Sequence, residues 1–455
     1  MKDSLNMMKE ESDNSSQPST SSVFTPRRIL ILCVTTFVFF MTWCCAAMWA
    51  PFFPGEAAER GVSSTEVGFI FGTYSLGAVV ASLIYGPFVI PRTGPNYVLV
   101  AGLFLNGVIN LMCGFGDIIE DHVPFTIFFF IMRAVGSLGG AACETSIVVI
   151  LTQEFPGHLP IIMGFLEIAA GLGFTAGPVI GGMLHALGGF RLPMLAVGVT
   201  MLLFVPMIWI LLPRKDYSTK GNDSSRIQLF KQMVGIPGIL IMCLCAFLCM
   251  ASLTFLDPTL QNHAEKFGMD SRDVALLFLS LAAPFIFTSP VAGFILSKKS
   301  WGKTFIVIGL FGNAISLLFC APAPFLTSFV PERTVWVLVL SLVAVGFYNG
   351  LYLVPVLPEM FQFSYEKGWQ ESIELSSFIS GLFTGFTNLG AFFGAVIGGI
   401  LDDHFGFSWT TVIISSLSLA QGFLTSIFFA YHCCRYERQP LDSDHEEDID
   451  VEIEV

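Results

Sequence analysis

The chain is poor in charge. Only 13% of its 455 residues are Asp, Glu, Lys or Arg, about half of what soluble domains carry. That scarcity excludes an ordinary water-soluble domain with a solvated shell. No basic stripe is present, which excludes a nucleic-acid partner. Cysteines at disulfide or metal spacing are missing too: the eleven present lie almost entirely inside apolar runs. The exceptions, Cys433 and Cys434, end the last run beside Arg435, a position suited to S-palmitoylation or to two ordinary thiols. Residues 1–26 lack the short apolar core of a cleavable leader. Nucleotide-binding loops and Ser-His-Asp constellations are also absent, and His122, His158, His185 and His404 fall in connections. An enzyme is not expected, nor is a cofactor.

What is abundant is apolar length. Hydrophobic residues make up 54% of the chain, with 46 Phe among them, and the mean hydropathy is +0.72. A lipid-facing surface uses such residues without penalty. Runs long enough to cross a bilayer fall at 29–53, 67–90, 97–115, 125–151, 161–184, 191–212, 233–256, 273–296, 304–322, 335–358, 372–400 and 408–432. The chain is therefore expected to be an all-α membrane protein with twelve transmembrane helices.

Lysine and arginine placement orients it. Arg92, the cluster Arg214 to Lys231, then Lys298, Lys299, Lys303 and Lys367 fall on one side. The other side holds Arg60, Arg191, Lys266, Arg272 and Arg333. The first side is expected to be cytosolic, with both termini there, which leaves the sequons at Asn14 and Asn222 unused. The net charge of −13 gathers largely in the tail after Asp442, which reads as a solvated segment.

The chain also repeats itself. Gly61 to Val67 lines up with Gly268 to Val274, and the same offset carries Gly86 onto Gly293, Gly102 onto Gly309 and Asn106 onto Asn313. Later, Gly173, Gly177 and Gly181-Gly182 line up with Gly390, Gly394 and Gly398-Gly399, and Gly189-Phe190 with Gly406-Phe407. The expected organisation is an N-tail (1–28), a six-helix bundle (29–212), a basic linker (213–232), a second six-helix bundle (233–434) and an acidic tail (435–455). Two pseudo-symmetric bundles about an axis along the membrane normal can rock around a central site. A scaffold or receptor is the rival reading; it calls for large soluble domains or long loops, which the sequence lacks.

Gly173, Gly177, Gly181 and Gly182 form a smooth stripe around Pro178, suited to a helix that shifts against its neighbour. GLGFTAGPVIGG (171–182) resembles the fifth-helix antiporter motif of the major facilitator superfamily, and the run from Arg133 resembles its fourth-helix motif. The loop containing Gly86, Arg92 and Gly94 stands in the place of the superfamily's gating loop, with Pro91 where an Asp is usual. Its second copy keeps Gly293, Lys298 and Lys299, with Ser297 in the acidic place. Within the superfamily the chain resembles the vesicular amine transporters, most of all their polyamine branch. The likeness is carried by APFFPGEAAERG (50–61), VGFIFG (67–72), GFLEIAAGLG (164–173), FLDPTL (255–260), VPVLPE (354–359) and SGLFTGF (380–386). It implies proton-driven antiport of an organic cation, such as a polyamine, into an acidic vesicle. Span 1 has no carboxylate, unlike the monoamine members, and the tail has no clear acidic-dileucine signal. Uptake of a neutral or anionic solute is the transport rival; it would favour more cationic groups than Arg133.

Each charge inside a bilayer costs roughly 2.5–3.5 kcal/mol on insertion scales, so Arg133, Glu144 and Glu167 are the main candidates for proton coupling or cation binding. Arg133 and Glu144 share a face of the fourth span with Gly136 and Gly140. Glu144 and Glu167 are expected at similar depth on the two arms of a hairpin. There they form a coupled acid pair that holds a proton in one state and a substrate ammonium in the other. The alternative is that one pairs with Arg133 or caps a helix. Trp43, Asp257, Tyr348, Asn349 and Tyr352 are candidate cavity-lining groups, since the resemblance implies a cavity lined by spans 1, 4, 7 and 10. Aromatic faces there suit an organic ammonium, whereas Asp257 also fits a turn before Pro258.

Overall fold

A computed structural model describes residues 25–212, 228, 231–265, 267–269, 271–321 and 335–436. The two sequons, Lys266, Arg333 and most of both tails and of the basic linker lie outside the described residues. Twelve helices are long and apolar enough to cross a membrane: α1 (Pro26–Ala47), α2 (Glu66–Thr93), α3 (Pro95–Ile118), α4 (His122–Glu154), α5 (Leu159–Gly188), α6 (Arg191–Leu211), α7 (Pro237–Leu260), α8 (Leu276–Leu296), α9 (Gly302–Cys320), α10 (Val335–Tyr365), α11 (Ile373–Phe405) and α12 (Phe407–Cys433). The chain is an integral multi-pass membrane protein.

Local chemistry sets the helix ends. Pro26 opens α1, and the Thr25 hydroxyl accepts from the Arg28 amide at 3.4 Å. Before α2, Ser63 and Glu66 form a reciprocal capping box: the Ser63 amide donates to the Glu66 carboxylate at 2.8 Å. Ser372 caps α11 by accepting from the Leu375 amide at 3.1 Å. Helices α5 and α11 both stop at a glycine of positive φ, Gly189 at 66° and Gly406 at 78°. The run expected to span 29–53 stops at Ala47, and a separate short helix, Phe53–Glu59, follows. Pro51 and Pro54 flank its start and break the longer helix.

The packing repeats as the sequence does. In the first half α1 packs on α5, α3 on α4 and α6, and α4 on α2 and α1. In the second half α7 packs on α11, α9 on α10 and α12, and α10 on α8 and α7. The halves meet along α2 against α11 and α5 against α8, again a symmetric pair.

Glycines make both kinds of contact possible. A Cβ on Gly177 would stand 2.7 Å from the Cys44 carbonyl oxygen, and Gly173 and Gly181 abut the carbonyls of Phe40 and Met48. In the second half Gly390, Gly394 and Gly398 abut Phe247, Ala251 and Phe255 in the same way. Two stripes thus seat α1 on α5 and α7 on α11, backbone against side-chain-free backbone.

Between the halves, a Cβ on Gly381 would lie 2.8 Å from both Gly86 Cα and the Ser82 oxygen. One on Gly86 would lie 2.6 Å from the Ser377 oxygen. Across the pseudo-axis, Gly293 abuts the Pro160 oxygen, and a Cβ on Gly164 would lie 3.0 Å from the Ser289 oxygen. All four glycines sit toward the end where α1 begins, here termed the basic end. The halves are therefore shut against each other at that end.

Candidate functional site

Helix α4 carries the informative charges, and the structure separates them. Arg133 is buried, and its guanidinium lies over three rings: Tyr74 at 4.6 Å, Trp49 at 5.1 Å and Phe71 at 5.5 Å from the centroids. Among the described residues it makes no ion pair. Gly140 makes room for Tyr74, whose hydroxyl a Cβ there would strike.

Glu144 is also buried, and its carboxylate accepts from Asn388 Nδ2 at 3.1 Å. Asn388 is on α11, so this bond crosses between the halves. Glu167, on α5, is equally buried, with no hydrogen bond or ion pair among the described residues. It lies within electrostatic reach of Cys249 on α7.

No hydrogen bond joins the two carboxylates expected to pair across the hairpin, among the described residues: Glu144 meets α11, and Glu167 is near α7. The reason is packing. Helices α4 and α5 are consecutive, yet α5 is taken up by α1 and α8 while α4 is taken up by α2 and α3. Nor does either carboxylate pair with Arg133.

The aromatic and polar candidates on α10 turn elsewhere. Tyr348 and Tyr352 pack on Gly312 and Gly309 of α9. Asn349 is fully buried; it donates to Asn313 Oδ1 at 3.0 Å and accepts from Ser252 at 3.0 Å. Tyr352 also reaches Cys249 of α7, the residue near Glu167 of the first half. Trp43 is half-buried against Gly173, and Asp257 is exposed near the far end of α7.

Pro178 sits inside α5 within the glycine stripe. At the basic end Arg92 is exposed and Gly94 takes a φ of 85°. Lys298 and Lys299 are exposed, each over a neighbouring ring, Phe294 and Trp301, at 4.2 Å.

Three residues in these contacts escaped the sequence reading. Asn388 and Tyr74 are polar side chains in mid-span, a signal as strong as that of Asn349. Glu359 lies against Gly302 at the start of α9; its place in VPVLPE was visible, its role at a helix N-terminus was not.

The sequence pattern of the Major Facilitator Superfamily matches residues 27–370. The chain belongs to this superfamily. Its members are transporters, not enzymes, and the twelve spans in two packed halves are the superfamily's fold. A mouse relative, "MFS-type transporter SLC18B1", is 31% identical over 385 residues, covering 84% of this chain and 82% of the relative. A zebrafish "Probable vesicular acetylcholine transporter-A" matches a shorter stretch, 24% identical over 209 residues, 44% of this chain and 38% of that one. Among solved structures, the human organic anion transporter MFSD10 superposes with a TM-score of 0.71 at 14% identity, covering 88% of this chain and 100% of that one. That superposition speaks for the fold.

Proposed function

We propose that this transporter is a proton-coupled antiporter that loads an organic amine, with polyamines the first candidates, into an acidic vesicle. The observation that carries this reading is the pair of buried carboxylates Glu144 and Glu167 without a basic partner. An ionised carboxylate in the bilayer is costly unless compensated. A proton or a substrate ammonium supplies that compensation in turn, which is the logic of exchange. Each carboxylate acts toward the second half by itself, so the two are separate stations rather than one shared acid. The vesicular assignment is supported by the printed name of the zebrafish relative, and the amine assignment by the resemblance to the polyamine branch. In this proposal both termini and the basic end are cytosolic, the two six-helix bundles rock about the pseudo-axis, and the closed seam of Gly86, Gly164, Gly293 and Gly381 leaves the far side as the open one.

The test is uptake of labelled spermidine into proteoliposomes with an imposed inside-acid gradient. Uptake abolished by a protonophore supports exchange. Absence of uptake by folded, correctly oriented protein would remove the polyamine from the proposal.

A further inference from the structure

The first half contains a cluster of hydrogen-bond donors that the amine reading does not use. Arg133 is the one guanidinium in the middle of a span, and it is 94% buried in residue terms, at 6% exposure. Its Nε has no hydrogen-bond partner, and neither do Trp49 Nε1 or the Tyr74 hydroxyl. Trp49 and Tyr74 are themselves at 2% and 7% exposure. Both rings lie within about five ångströms of the guanidinium carbon, at 5.1 and 4.6 Å. Cys45 and Cys113 are within electrostatic reach of it. Cys45 leads to Asn106, whose Nδ2 is a fourth unpartnered buried donor.

Three of these four atoms are N–H groups, which donate and do not accept; the fourth, a hydroxyl, can donate as well. One of them belongs to a permanent cation, and the rings of two others lie against it. Ring faces offset part of the cost of burying it, but they satisfy none of the N–H groups, and an unmade buried hydrogen bond costs about 1–3 kcal/mol. The carboxylate that shares its helix face, Glu144, is held by Asn388 instead. A buried cation stacked on rings whose own donors are unpartnered calls for an acceptor that carries negative charge.

We propose that Arg133, Trp49 and Tyr74 form a binding site for a small monovalent anion, a halide in the first instance, inside the first six helices. The anion neutralises the guanidinium and fills the donors that the rings leave open. Asn106 lines the edge of the site. The inference is independent of which amine is carried, because its measurement is anion binding and not transport.

The experiment is binding of radiolabelled chloride to the purified full-length chain in detergent by scintillation proximity. Saturable binding displaced by bromide is expected. Displacement by acetate as well would mark the site as one for small carboxylates in addition to halides. Trp49→Phe and Tyr74→Phe each remove one donor and keep the ring, so each is expected to weaken binding by about tenfold. Arg133→Gln is expected to abolish it, and exposed Lys231→Gln to leave it unchanged. The two ring-preserving variants keep the test decisive if Arg133→Gln does not fold. No saturable chloride binding, or binding indifferent to both ring variants, overturns the proposal.

Discussion

Gly381→Ala tests the closed seam directly. The added Cβ would stand 2.8 Å from Gly86 Cα and 2.8 Å from the Ser82 oxygen. Ordinary carbon contacts begin near 3.5 Å, so α2 and α11 must part by roughly half an ångström or more. Both opposing atoms belong to backbone, and no flexible side chain can yield. Overpacking of this kind costs typically about 1–3 kcal/mol. Helix propensity favours Ala over Gly by about 1 kcal/mol, but it does so whether the seam is shut or open, and cancels. The net effect is a shift toward the state open at the basic end by about five- to 150-fold, at roughly 1.4 kcal/mol per tenfold. Hydrogen–deuterium exchange of the full chain in lipid nanodiscs reads this out. Peptides covering the basic ends of α2 and α11 are expected to exchange faster in the variant. Gly177→Ala, which strains α1 on α5 within one half, is expected to leave the seam peptides unchanged. Unaltered exchange at the seam in folded Gly381→Ala protein would refute the reasoning that this glycine contact holds the closed state.

Other outcomes follow from the same packing. Glu167→Gln is expected to abolish gradient-driven amine uptake while substrate counterflow persists, because an amide neither gains nor loses a proton; undiminished driven uptake would remove Glu167 from coupling. Asn388→Leu takes away the donor to Glu144 and is expected to alter the pH dependence of uptake more than the amount of folded protein, checked by a pH–rate profile. Gly177→Leu and Gly394→Leu are expected to lower thermal stability of the detergent-purified protein to a similar degree, since each forces a side chain into backbone across the same kind of stripe. Asn349→Leu leaves Asn313 Oδ1 without its donor inside the second half, while Ser252 keeps its bond to the Cys249 carbonyl, and is expected to cost about 1–3 kcal/mol from the one unmade buried hydrogen bond, read as a lowered unfolding temperature.

Hydropathy reports length and polarity, so it located all twelve spans, whose ends moved by up to seven residues. The internal repeat was legible further, down to packing. The offset that pairs Gly86 with Gly293 also pairs Phe40, Cys44 and Met48 with Phe247, Ala251 and Phe255, and these are the residues the two glycine stripes touch. What sequence withheld was direction. Helix α10 is apolar nearly all round, so no amphipathic stripe says which face meets the other half, and the contacts of Tyr348, Asn349 and Tyr352 with α9 and α7 were not legible. The same blindness made Glu144 and Glu167 neighbours. Adjacent spans joined by a short connection need not pack closely, and here the contacts of α4 and α5 lie mostly with other helices.

Arg133, Glu144 and Glu167 all ride on the first half, while the second half offers a neutral amide network at the corresponding depth. In electrical terms these three side chains then carry one net negative charge when both carboxylates are ionised and none once a single proton is bound, and a halide held at Arg133 adds one negative charge to each state. The proposed rocking motion displaces that charge along the membrane field, where one elementary charge is worth about 2.3 kcal/mol per 100 mV. In the proposed proton exchange, membrane voltage therefore acts differently on the deprotonated and protonated carrier, and binding of a proton changes the charge moved in the return step by one.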